Sequence, residues 1–205
     1  MIINFFLGQR SLEDCRTFIN DLISRIRGKP LFTSDELPHY ETVLLEHYSH
    51  LEEQPKTGKR GRPPKPKRVV DPEFMYATVH KVRINGKVVK VERNIHYGSP
   101  QAINNVLASS KASKKINTSF VERVNLTLRS QNKMLARKTL CFAKRKRALE
   151  AQTNITLAYY NFSRPHRSLA MKGAKGSSIN RTPGMAARLI DRVWPIGDIL
   201  AYPFC

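Results

Sequence analysis

The residues from Gln54 to Arg68 constrain the fold more than any other part of the sequence, because they offer almost nothing with which to build a core. Pro, Gly, Lys and Arg dominate the stretch, and no Val, Ile, Leu, Met, Phe, Tyr, Trp, Ala or Cys interrupts them. A segment of this kind buries too little apolar surface to offset the conformational entropy lost on ordering, so it is expected to be a solvated linker unless it meets a partner. Folded structure must then come from the flanks, and the composition changes sharply at Glu52.

Upstream, residues 2 to 7 are mostly apolar and read as a buried strand, ended by Gly8-Gln9-Arg10. Ser11 reads as an N-cap, with Asp14 three residues on. Leu12, Cys15, Phe18, Ile19, Leu22, Ile23 and Ile26 follow at helical spacing, and Gly28 and Pro30 mark the stop. Leu31-Phe32-Thr33 reads as a short strand with Ser34-Asp35 at its end. An amphipathic helix is expected from Pro38 to about Leu51, burying Val43, Leu44, Tyr48 and Leu51.

Downstream, Tyr76 to Val91 reads as a β-hairpin, because Asn85-Gly86 favours a type I′ turn and Val82, Ile84, Val88, Val89 and Val91 flank it. A polar loop (Ser109 to Lys115) leads into helices expected from about Ser119 to Lys138 and from about Phe142 to Asn161. Residues 163 to 181 read as a basic, Gly- and Ser-rich connection, and Thr182-Pro183 opens a short helix with Thr182 as N-cap. The expected class is α/β, a mixed sheet with helices, interrupted by the basic linker and the hairpin. The expected divisions are 1–52, 53–98, 99–170 and 171–205.

The 205 residues carry 36 Lys and Arg against 16 Asp and Glu, a formal net charge of +20. Such an excess costs self-repulsion in the compact state and fits a polyanionic partner, nucleic acid first and an anionic membrane surface second. No apolar run approaches the roughly 20 residues of a spanning helix, and residues 1 to 7 make a poor signal peptide. Cys15, Cys141 and Cys205 are scattered and odd in number, which speaks against a disulfide framework or a zinc ribbon and fits a reducing cytoplasm. His47 and His50 lack further paired ligands and read as part of a helix surface.

Within the tract stand Lys59, Arg60, Gly61, Arg62, Pro63, Pro64, Lys65, Pro66, Lys67 and Arg68. The prolines hold the chain extended and lower the entropy lost on docking. Gly61 lets the backbone and Arg62 settle deep in a narrow groove, and A-tract minor grooves are narrow and strongly negative. If about six basic residues neutralised phosphates, log K would fall against log salt with a slope near −5. Arg60 to Pro63 resemble the Arg-Gly-Arg-Pro centre of the AT-hook. A basic linker, or a proline-rich ligand for another domain, is the plainer alternative.

In a chain this basic, two carboxylates stand out. Asp35 directly follows an apolar strand, and Glu122 shares a helical stripe with Asn125 and Arg129 at i, i+3 and i+7. Val121, Val124, Leu128 and Leu135 are expected on the opposite, buried face. Phosphodiester chemistry commonly uses carboxylates to hold two Mg²⁺ ions, and an arginine beside them clamps phosphate as a planar fork. A solvated helix face with one Glu and one Arg is the commoner meaning of such a stripe.

Several segments resemble the insertion-sequence-one family of bacterial transposases. They are Gly8-Gln9-Arg10-Ser11, Ser34-Asp35-Glu36-Leu37-Pro38-His39-Tyr40, the run from Val121 to Arg129, the run from Leu135 to Lys144, Tyr160-Asn161 with Arg164-Pro165-His166, and Arg181-Thr182-Pro183. The resemblance covers residues 1 to about 52 and about 99 to 194, with the motifs in the family's order. It implies a partial RNase H-like fold and DDE-type strand cleavage and joining with Mg²⁺ or Mn²⁺, Asp35 being the second acidic residue and Glu122 the third. Residues 53 to 98 would be an insertion between them.

The chain departs from the family's pattern in two ways. The family's first catalytic Asp lies on the first strand of the sheet, upstream of anything matched here; Asp14 and Asp21 lie on the expected helix and do not replace it. Val124 stands where some relatives have His. A truncated transposase, weakly stable when made alone, is therefore the expectation. Expected partners are double-stranded DNA, at element ends and in AT-rich duplex, and a second copy of the chain on that DNA. No membrane partner and no small-molecule substrate is expected, and the place is the cytoplasm, at the nucleoid. A non-catalytic DNA-binding regulator remains open, as does an RNA-binding basic protein, although no RRM-like or KH-like motif is present.

Overall fold

The computed structural model describes residues 1–55, 64–110, 112–172 and 177–202. The chain forms two compact units: Gly8–Phe120, and Met1–Leu7 together with Val121–Cys205. This boundary does not coincide with the divisions expected from composition.

The first unit opens with α1 (Leu12–Arg25), whose N-cap Ser11 accepts a hydrogen bond from the Asp14 backbone N–H at 3.1 Å. The helix stops short of Gly28, which takes a positive φ of 76°. Strand β1 (Leu31–Ser34) pairs in parallel with β4 (Met75–Ile84), and β4 pairs antiparallel with β5 (Lys87–Tyr97). The hairpin shares one sheet with β1, and β4 is the central strand of that sheet. Its turn is the one the sequence demands: Asn85 and Gly86 both have positive φ, 50° and 78°.

The period-2 geometry of β4 sends alternate residues to opposite layers. Phe32 and Tyr76, paired in register, face Cys15 and Ile19 of α1 and Val43 and Leu44 of α2 (Pro38–His47). Leu31, Met75, Ala77 and Val79 face Ile103 and Leu107 of α3 (Pro100–Ser109). Helices therefore cover both sheet faces, and β4 is buried from Tyr76 to Val79. Helix α3 was not anticipated, although Ser99 caps it and Pro100 opens it as those residue types do.

Helix α2 ends at His47 rather than near Leu51. Ser49–Glu52 leave it to form β2, which pairs antiparallel with β3 (Lys67–Val70). The cross-strand ladder outcompetes the helix here, and Leu51, expected in the core, is 63% exposed. His50 lies on this strand, not on a helix. Lys67 and Arg68 likewise belong to a sheet rather than to a solvated linker.

In the second unit, residues 2 to 7 form no strand. The Ile2 backbone instead bonds a side chain: its N–H donates to Asn161 Oδ1 at 2.9 Å, and its carbonyl accepts from Asn161 Nδ2 at 2.7 Å. Helix α4 (Ser119–Gln131) belongs to this unit from Val121 onward and ends well before Lys138. The buried Asn132 side chain accepts from the Met134 N–H at 3.0 Å, supporting a short 3₁₀ turn (Lys133–Leu135) in place of further α-helix.

Helix α5 (Lys146–Ala158) starts later than expected and closes in a π-helical turn, Tyr159–Ser163. Residues read as a mere connection hold a hairpin of β6 (His166–Lys172) and β7 (Ser178–Arg181). Helix α6 (Pro183–Ala186) follows, with the fully buried Thr182 accepting from the Met185 N–H at 3.2 Å. Helix α7 (Ile196–Ala201) ends the described chain. Among the described residues no helix is long and apolar enough to cross a membrane.

Candidate functional site

Asp35 stands at the carboxyl end of β1, exposed, at the start of the turn into α2. Its neighbour Ser34 donates to the Asp35 carbonyl at 2.6 Å. With that hydroxyl proton used, Ser34 Oγ accepts from the Tyr76 hydroxyl at 2.7 Å. Burial raises the Tyr76 phenol above its ordinary value, and Glu41 and Asp35 add to the rise. Burial likewise raises Tyr40, with the Asp35 charge as the next cause. Both phenols thus sense the Asp35 charge.

A polar strip continues along the same face of β4. Thr78 Oγ1 bonds His96 Nε2 at 2.9 Å, and the Tyr97 hydroxyl donates to Glu41 Oε1 at 3.1 Å. The other oxygen of Glu41 lies 3.6 Å from His96 Nδ1. Glu36 pairs with His80 Nδ1. Sequence reasoning missed this strip, since it depends on hairpin register, which stands His80 opposite Glu92 and brings His96 back beside Thr78.

Glu122 lies in the first turn of α4, and Asn125 and Arg129 share its exposed side of the helix. The opposite face is not buried as expected: no α4 residue is buried, and Val121 is 60% exposed. Asp35 belongs to the first unit and Glu122 to the second. Among the described residues no three His, Cys, Asp or Glu side chains are grouped to hold a metal ion. The carboxylates nearest Asp35 in sequence are engaged by protein groups, Glu36 by His80 and Glu41 by Tyr97.

Of the basic tract, Lys59, Arg60, Gly61, Arg62 and Pro63 lie outside the described residues. Lys65, Lys67 and Arg68 are described and exposed. Lys67 stands across from Glu52, and Arg68 across from Leu51. Arg68 also reaches the helical layer electrostatically. The Arg16 guanidinium, bonded to both Glu46 oxygens at 2.7 and 3.0 Å, holds that carboxyl below the usual range, and Arg68 adds to the effect. The basic run is anchored to a folded body at its C-terminal end. No protein-family model, no curated protein and no solved structure matches this chain.

Proposed function

We propose that this chain is a transposase polypeptide that grips double-stranded DNA at element ends and serves its cleavage and rejoining. The observation that carries the DNA part is the anchored basic run: in a chain of net charge +20, Lys65, Lys67 and Arg68 are exposed, the last two on a sheet, and they follow Arg60 to Pro63 directly in the sequence. A segment whose two flanks are held in paired strands loses less freedom on docking than a free tail does. The strand-transfer part rests on the family resemblance and on the place of Asp35, exposed at a strand's carboxyl end. Asp35 and Glu122 are the carboxylates to which the resemblance assigns the Mg²⁺ or Mn²⁺ of such chemistry.

A second reading, a non-catalytic DNA-binding regulator, is favoured by the engagement of Glu36 and Glu41 with His80 and Tyr97. Incubation with element-end duplex and Mg²⁺ separates the two. Nicking by the parent that is abolished in Asp35→Asn and in Glu122→Gln supports the first. Tight binding without nicking supports the second, and nicking untouched by either substitution refutes the site. For the tract, Arg62→Ala is expected to weaken binding to AT-rich duplex more than to GC-rich duplex.

A further inference from the structure

We propose that the distal half of the β4–β5 hairpin is a two-stranded ribbon that enters the major groove of B-form DNA. This inference rests on the DNA-binding reading and adds a second contact, independent of the basic tract. Tyr76 to Val79 of β4 are core, but beyond His80 burial ends on that strand, and from Arg83 through Val91 every residue is exposed. From His80 to Ile84 the strand extends about 17 Å at 3.4 Å per residue. The major groove, about 12 Å wide, admits a two-stranded ribbon.

The surface of this projection matches that target in two respects. Between Lys81 and Glu92 there are four basic side chains and one acid. The register sets them on both faces, Lys81 and Arg83 on one and Lys87 and Lys90 on the other, and lysine and arginine contacts to phosphate fix a protein's orientation on a duplex. Glu92, held by Lys90 at 2.7 Å, is the acid.

Branched apolar side chains also stand in solvent among these charges: Ile84 at 60%, Val88 at 43%, Val89 at 56% and Val91 at 36% exposed. A register shift between Val82 and Arg83 leaves Val89 without a direct cross-strand partner. Apolar contact with the thymine 5-methyl group is an established mode of major-groove readout. The ribbon carries no aromatic side chain between Lys81 and Glu92, so the interfacial anchors typical of a membrane-dipping tip are missing.

The test uses the full chain and fluorescence anisotropy on short B-form duplexes over a salt series. Arg83→Ala/Lys87→Ala should reduce the slope of log K against log salt by about 1.8, the value for two phosphate contacts. Val89→Ser/Val91→Ser should weaken binding to thymine-containing duplex by about fourfold per lost methyl contact, with a smaller effect on the uracil-substituted duplex. Duplex RNA, whose major groove is deep and narrow, should be bound more weakly than DNA and respond less to either variant. Arg83→Lys/Lys87→Arg should restore the slope, and unchanged thermal transitions would show that the variants fold.

Slopes and thymine preference equal to the parent's would overturn the proposal. So would variants that lose binding to phosphatidylserine vesicles while DNA binding stays intact. A parent that binds no duplex at all refutes the DNA-binding reading itself, which distinguishes that failure from failure of the ribbon alone.

Discussion

Phe74, just before β4, is the side chain on which the first unit's core is most dependent. It is 1% exposed and has a ring on every side: Tyr48 stacked at 4.8 Å and 7°, Tyr97 at 5.3 Å, Phe32 at 6.3 Å and Tyr76 at 6.4 Å. Truncating a buried Phe to Ala costs about 3–5 kcal/mol, and the upper half applies where the walls cannot collapse. Rigid rings anchored on two helical and sheet layers collapse poorly, so Phe74→Ala is expected at about 4–5 kcal/mol. Phe74→Leu keeps most of the volume and loses the ring pairs, which places it near 1–2 kcal/mol.

Urea titration followed by far-ultraviolet circular dichroism and tyrosine fluorescence measures these costs. Trp194 is the sole tryptophan and belongs to the other unit, so tryptophan-selective excitation tracks that unit separately. With a slope of about 2 kcal/mol per molar urea, the Ala variant should shift the midpoint by about 2 M. A double-mutant cycle with Tyr48→Leu should return a coupling of about 0.5–1.5 kcal/mol for the stacked pair. A cost under about 1 kcal/mol for Phe74→Ala would refute the packing described.

Three further substitutions probe other parts of the chain. Gly98→Ala is expected to cost about 1–3 kcal/mol in urea titration, because φ is +95° and a Cβ would stand 2.8 Å from Met75 Cγ and 3.2 Å from the Phe74 carbonyl. Thr182→Ala should cost about 1–2 kcal/mol through loss of the α6 cap, while Thr182→Ser retains most of it. Burial, with Arg164 adding to it, holds His166 below its ordinary value of 6.5. Its folded form then resists protonation more than the unfolded chain does, so the second unit should lose stability as pH falls below about 6.5 toward the lowered folded value. His166→Gln should flatten that slope in a pH series of Trp194-monitored unfolding, and an unchanged slope would exclude His166 as its source.

What the sequence made legible was local. Ser11 with its apolar periodicity defined α1, and Asn85-Gly86 defined the hairpin turn, since each signal is complete within a few residues. Thr182-Pro183 defined α6 in the same way. The end of α2 was hidden because Ser49–Glu52 find their partner, Lys67–Val70, on the far side of the basic tract. The early strand was misread because the donor and acceptor that satisfy Ile2 sit on the Asn161 side chain. At the candidate site, Asp35 could be placed at a strand end from its neighbours alone. His80, His96 and Glu41 could not be joined into the polar strip without knowing how β4 and β5 align.

The grip of Asn161 on Ile2 has a consequence for the order of assembly at the ribosome. Residues 1 to 7 are made before Gly8–Phe120, yet the unit they join is completed only by residues beyond Phe120. Gly8–Phe120 is continuous and can fold as soon as it leaves the exit tunnel, whereas its predecessors must wait, apolar and unsatisfied, for a side chain made much later. During that interval Ile2, Ile3, Phe5, Phe6 and Leu7 form an apolar stretch of the kind that chaperones shield.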